Sequence, residues 1–124
     1  MLSKTKMVKA RKAIESLYDG KCTITEHKKV KKENKSTGFE DVVVLTDIPC
    51  RLSFKTITNT NPTETAASVV QIIKVFLAPE IQVKPGSKLT ITQNDVTTEY
   101  KSSGKPAFYS THQEIVLELF KGWA

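Results

Sequence analysis

Ile81-Gln82-Val83-Lys84-Pro85-Gly86-Ser87-Lys88-Leu89-Thr90-Ile91-Thr92-Gln93-Asn94-Asp95-Val96-Thr97-Thr98-Glu99-Tyr100 is the stretch whose reading decides the fold. Lys84-Pro85-Gly86-Ser87 has the chemistry of a type II turn: proline pre-sets φ at the first central position and glycine supplies the positive φ of the second. Leu89 and Ile91 then alternate with Thr90 and Thr92. Asn94-Asp95 stands where a two-residue hairpin loop belongs, and Val96, Thr98 and Tyr100 alternate on the return. Turn, strand, tight turn and strand predict a β-rich chain, with Pro85, Gly86, Asn94 and Asp95 as its structural turn residues.

The neighbouring segments extend that grammar. Ser68 to Leu77 is β-branched and apolar, which predicts a central strand buried on both faces or nearly so. Phe39 to Phe54 predicts strand in two pieces, broken at Thr46-Asp47. In the second piece Ile48, Cys50, Leu52 and Phe54 share the inner face, and Arg51 points outward. Pro49 places an edge or a bulge there. Lys21 to Val30 predicts another strand, with Cys22 and Ile24 on one face. Gln113 to Phe120 predicts the closing strand. Polar runs over about 31–38 and 55–67 predict mobile loops. Residues 3–18 carry Met7, Ala10, Ile14, Leu17 and Tyr18 at helical spacing, after a plausible N-cap at Ser3. Gly20 follows as a candidate left-handed C-cap. The expected architecture is one mainly β domain over residues 1–124: a small antiparallel β-barrel or sandwich over 21–123, preceded by one basic amphipathic helix.

Charge is distributed unevenly. The 124 residues carry a net charge of +6. Residues 1–35 hold eleven Lys/Arg against four Asp/Glu, and the remainder is nearly neutral. Such asymmetry points one end of the chain at an acidic partner, with a solvated lysine-rich arm as the plain alternative. The candidate contacts for a partner or for DNA phosphates are Lys4, Lys6, Lys9, Arg11, Lys12, Lys28, Lys29, Lys31 and Lys32. No apolar run is long enough to span a bilayer as a helix. No export signal is recognised, so Cys22 and Cys50 are expected as reduced thiols, with a disulfide open if their strands are neighbours.

Reactive chemistry finds little support. Cys22, Cys50, His27 and His112 lack the local spacing of a zinc site. Cys50 with His112 would need an exposed thiol, whereas Cys50 falls in phase with core residues. His112 with Glu114 reads as a satisfied pair rather than an acid–base couple. Gly104-Lys105 lacks the remaining residues of a phosphate loop. The basic segment from Lys28 to Lys35 has no interleaved aromatic on which bases would stack, and Tyr100, Phe108, Tyr109, Phe120 and Trp123 suit core or subunit contacts better. No enzyme, cofactor or metal is expected.

Three stretches carry a family resemblance: Ile48-Pro49-Cys50-Arg51-Leu52-Ser53-Phe54, Val83-Lys84-Pro85-Gly86-Ser87-Lys88-Leu89-Thr90-Ile91, and the end Leu119-Phe120-Lys121-Gly122-Trp123. Together they resemble the small head–tail connector proteins of tailed bacteriophages, nearest to the connector or head-completion proteins of PBSX-like defective prophages of Bacillus. The likeness spans most of residues 20–123. Ser87 departs from the aspartate common in the broader group, whereas the run from Ser102 to Glu114 looks like the PBSX-type branch. The resemblance implies a barrel subunit that forms a homo-oligomeric ring between the portal and the tail, touching portal or adaptor and tail-completion proteins and holding packaged DNA. It implies assembly in the bacterial cytoplasm, a place in the virion, no membrane and no catalytic residue. The alternative reading is a nucleic-acid-binding β-barrel module that uses the basic N-terminal region.

Overall fold

The computed structural model describes residues 4–31, 37–59 and 68–123. Ser3, Lys32 and the centres of both expected loops lie outside them. One helix, α1 (Lys4–Glu15), precedes seven strands: β1 (Gly20–Lys31), β2 (Thr37–Asn59), β3 (Ser68–Leu77), β4 (Lys88–Gln93), β5 (Val96–Ser102), β6 (Ala107–Phe108) and β7 (Gln113–Leu119). All of the pairings are antiparallel, in the order β3-β2-β1-β4-β5-β7-β6. β7 also pairs with β3, so the ring of neighbours closes. The protein is a small antiparallel barrel with one helix outside it, as the alternation predicts.

The hairpin forms where turn chemistry places it. Gly86 has φ 86° and the Ser87 N–H donates to Lys84 O at 3.1 Å. Asn94 and Asp95 both lie at positive φ (53° and 62°) between the paired Gln93 and Val96. Two central residues at positive φ are the signature of a type I′ turn, whose twist matches that of the strands it joins. The hairpin bridges β1 to β7 within the ring.

β2 departs most from expectation. Instead of two strands divided at Thr46-Asp47, the chain runs as one strand of 23 residues. The register with β1 slips twice: Cys22 faces Ile48, Ile24 faces Leu45 and Thr25 faces Val43, so β2 takes up one extra residue at each step. The first is a β-bulge, and Asp47 takes φ 52° within it. Each extra residue changes the parity of a strand. Val44 and Leu45 pack against the core before the Asp47 bulge, and Ile48, Cys50 and Leu52 do so after it. Without the bulge geometry, a strand that buried Leu45 would bury Asp47, Pro49 and Arg51 in their place.

Each barrel strand contributes inward residues to one core, including Cys22 and Ile24, Cys50 and Leu52, Val75 and Leu77, Leu89 and Ile91, Tyr100, and Ile115 and Leu117. Cys22 and Cys50 are fully buried and free. They lie on adjacent strands, and the neighbouring Cys50 thiol, followed by burial, pushes the Cys22 thiol up. Gln113 is also fully buried, and its amide donates to Ala78 O (2.8 Å) and Ile81 O (2.5 Å), pinning the turn after β3.

Several sequence expectations are corrected. The helix ends at Glu15 rather than near residue 18. Gly20 is not a left-handed cap but the first residue of β1, and the constraint on it is space. A Cβ there would lie 3.1 Å from Cys50 O and from Gln93 Oε1, and 3.2 Å from Cys50 Sγ. Residues 55–59 are strand, because the β-branched Thr and Ile positions pair with 68–72 of β3. Lys31, Thr37 and Gly38 are strand as well. β3 is buried on one face only: Val75 and Leu77 are covered, and Val70 is half-exposed. Phe54 is 53% exposed although it keeps phase with the core, because β2 has left the closed part of the barrel there.

The ladders end before the strands do. β4 covers β1 only from Lys21 to Thr25, so residues 26–31 of β1 and 37–42 of β2 project as a two-stranded arm. β7 covers β3 only from Ile73 to Leu77, so residues 55–59 of β2 and 68–72 of β3 form a second arm. The arms lie at opposite ends of β2. Gly20→Ala is expected to cost about 1–3 kcal/mol, because the nearest atoms include backbone and a buried thiol that cannot give way cheaply. Urea unfolding measures it, and an unchanged midpoint would show that this crossing is looser than its distances.

Candidate functional site

The predicted basic residues are not gathered into one patch. Lys4, Lys9 and Lys12 are exposed on α1, and Lys28, Lys29 and Lys31 lie on the first arm, near the other end of β2. Arg11 is already occupied: its Nε bonds Glu15 Oε1 at 2.8 Å, and its NH2 group bonds the Glu80 carboxylate. Lys28 sits 3.8 Å from Glu26. Lys32 lies outside the described residues. Pro85, Gly86, Asn94 and Asp95 hold the two turns and take no further part.

α1 buries no residue. Its apolar stripe faces the barrel without filling the space beneath. Ile14, Leu17 and Tyr18 form one wall of a cleft of about 560 Å³, and Arg51, Leu52, Ser53, Phe54, Phe76 and His112 form the others. The cleft opens at an unpaired edge. The β1 ladder stops where Gly20 meets Cys50, and beyond it the Leu52 N–H donates to Gln93 Oε1 at 2.8 Å. Alternation assigns the next donors on that edge to Phe54 and Thr56.

Two polar groups bordering this cleft lack partners. Among the described residues Arg51 makes no ion pair or side-chain hydrogen bond. The Tyr18 hydroxyl is buried without a hydrogen-bond partner, and burial pushes its phenol up. His112, by contrast, is fully engaged. Its Nε2 lies 3.0 Å from Glu114 Oε2, its Nδ1 lies 3.1 Å from Thr111 Oγ1, and Tyr109 stacks on its ring at 4.8 Å. His112 and then Lys74 hold the Glu114 carboxyl below the usual carboxylate range. This is a braced pair, with the imidazole held between the Glu114 carboxylate and the buried Thr111 hydroxyl. Among the described residues no group of three or more His, Cys, Asp or Glu could hold a metal ion.

A second cluster sits on the first arm. His27 lies between two aromatic rings, stacked on Phe39 and on Trp123 at 4.8 Å each. Phe120 meets Trp123 edge-on at 5.0 Å, and Lys88 Nζ lies 5.1 Å from the Phe120 ring centre. His27 Nδ1 is 2.9 Å from Asp41 Oδ1, and His27, assisted by Trp123, holds the Asp41 carboxyl low. The C-terminal residues thereby strap the arm to the barrel. Phe39 nevertheless remains 63% exposed.

No protein-family model matches the sequence, and no curated protein matches it. One solved structure is similar in outline. It is the phage-like element PBSX protein xkdH from Bacillus subtilis, at 13% identity and a TM-score of 0.48, covering 80% of this chain and 91% of that one. A likeness of that depth transfers neither a role nor a site.

The strap, the Glu80 partner of Arg11 and the role of Arg51 in the cleft were not identified from sequence. Each depends on residues far apart in the chain. The nearest signal was Arg51 pointing outward from a strand otherwise in phase with the core. Glu80 is held below its ordinary range by Arg11. Its contribution is therefore present above the ordinary carboxylate range and lost as pH falls through the depressed value. The protection of α1 amides, after allowing for the intrinsic pH dependence of exchange, is expected to fall several-fold on acidification through that depressed value, and Glu80→Gln should produce that loosening at neutral pH. The pair is largely exposed, so the effect should stay under about 1 kcal/mol. Identical exchange in the variant would show that something other than this ion pair holds α1.

Proposed function

We propose that this chain is a non-catalytic structural subunit that assembles with copies of itself into a ring at the head–tail joint of a phage or prophage particle. The observation that carries the reading is the barrel with a strand-pair arm at each end of β2, beside large apolar side chains left in water. Phe39, Val43, Phe54, Phe108, Tyr109 and Leu119 are each more than half exposed. Exposed side chains of this size, one of them on the first arm and the others on the barrel surface, mark faces that are covered in an assembly. The sequence likeness to connector proteins supports the same reading. In this proposal the barrel is the rigid frame, and the arms and α1 make the contacts to neighbouring copies and to portal or tail-completion proteins. The chain would act in the bacterial cytoplasm during assembly and then reside in the particle.

The nucleic-acid reading rests on the exposed lysines of α1 and the first arm. Against it, those lysines are divided between two places and Arg11 is bound to carboxylates. Electron microscopy of the full chain added to portal-bearing capsids from its own particle is expected to show added ring density at the portal vertex. Anisotropy with duplex DNA at several salt concentrations is the counter-test. A bare vertex together with tight DNA binding that falls steeply with salt would reverse the assignment.

A further inference from the structure

We infer that the cleft under α1 receives the first arm of a neighbouring copy, with Glu40 of that arm paired to Arg51. The inference deepens the assembly reading and rests on it. Arg51 borders an apolar cleft and has no counter-ion among the described residues. Glu40 stands on the projecting arm and likewise has no ion-pair or hydrogen-bond partner among them. Apolar groups flank both: Phe54, Phe76 and Leu17 at the cleft, Phe39 on the arm and Val43 at its base. A carboxylate meeting a guanidinium in a site that excludes water makes a strong, bidentate, orienting contact.

Strand geometry fits the match. Arg51 and Phe54 lie on opposite faces of β2 by alternation, and both border the cleft because it opens at the strand edge. An incoming strand has the same alternation, so Phe39 and Glu40 meet both sides at once. The open β2 edge beyond Leu52 provides backbone for it to lie against, which is recognition by strand addition. The two mating surfaces are different parts of one chain. Each copy therefore offers one of each, and the contact propagates from copy to copy, closing as a ring where the rotation allows.

The test is sedimentation velocity of the full chain from micromolar to millimolar concentration, with circular dichroism to verify folding. Glu40→Arg and Arg51→Glu are each expected to weaken self-association at least tenfold, and the double variant to recover most of it. Mixing Glu40→Cys with Arg51→Cys under mild oxidation should give a disulfide-linked pair containing one of each. Folded single variants that associate like the original chain, a double variant that does not recover, or an absent cross-link would overturn this contact. If rings still form at the portal vertex in those variants, the contact fails and the assembly reading stands. If the unaltered chain neither self-associates nor decorates the vertex, both fail.

Discussion

The architecture depends on the stretch of β2 from Val43 to Ile48, where the strand takes up two extra residues against β1. A strand of 23 residues would traverse about 75 Å if it ran straight, far more than a barrel of this size needs. From Thr37 to Cys50 β2 pairs with β1, and from Arg51 to Asn59 with β3. The bulge at Asp47 shifts the parity, so that Leu45 before it and Ile48, Cys50 and Leu52 after it reach the same core, which Val44 also meets. Asp47 is tolerated there because aspartate is among the few residues with a side chain that visit positive φ at modest cost.

Much else follows from that placement. Because the β4 and β7 ladders stop short of its two ends, β2 carries both arms. Because β1 begins at Gly20, the following edge of β2 is left without a strand, and Gln93 caps only its first donor. The helix then lies beside that edge without being buried against it, anchored by Arg11 to Glu80 rather than by a packed interface. An apolar stripe held above an open cleft is a poor way to stabilise a solitary domain. It is a reasonable way to keep a contact surface ready for a partner. The strap formed by Trp123 on His27 fits the same picture, since it braces an arm that only β2 would otherwise support.

The fold was largely legible because its signals are local. The type II turn at Pro85-Gly86, the I′ turn at Asn94-Asp95 and the alternation of Leu89 with Ile91 each involve residues that are adjacent in the chain. The break at Thr46-Asp47 was visible too, but its meaning was not. A polar interruption in an apolar run reads equally as a loop between strands or a bulge within one, and only the register with Cys22 and Ile24 decides. Phe54 shows the limit of periodicity: phase tells which way a side chain points, not whether anything lies there. The site was much less legible. Charge counting singled out Arg11 as a contact, whereas Glu80, distant in sequence, occupies it. Arg51 carried no special signal, because its meaning comes from what surrounds it in space.

The central claim is that the bulge at Asp47, held at positive φ, lets Leu45 and Ile48 reach the same core, and the most direct check is urea unfolding of two variants. The account predicts that Asp47→Val, which puts a β-branched side chain at that φ, costs about 1–2 kcal/mol. It predicts that Asp47→Gly, which keeps the residue and relieves its backbone, is as stable as the original or up to about 1 kcal/mol more stable. An Asp47→Val chain that unfolds at the original midpoint would contradict it.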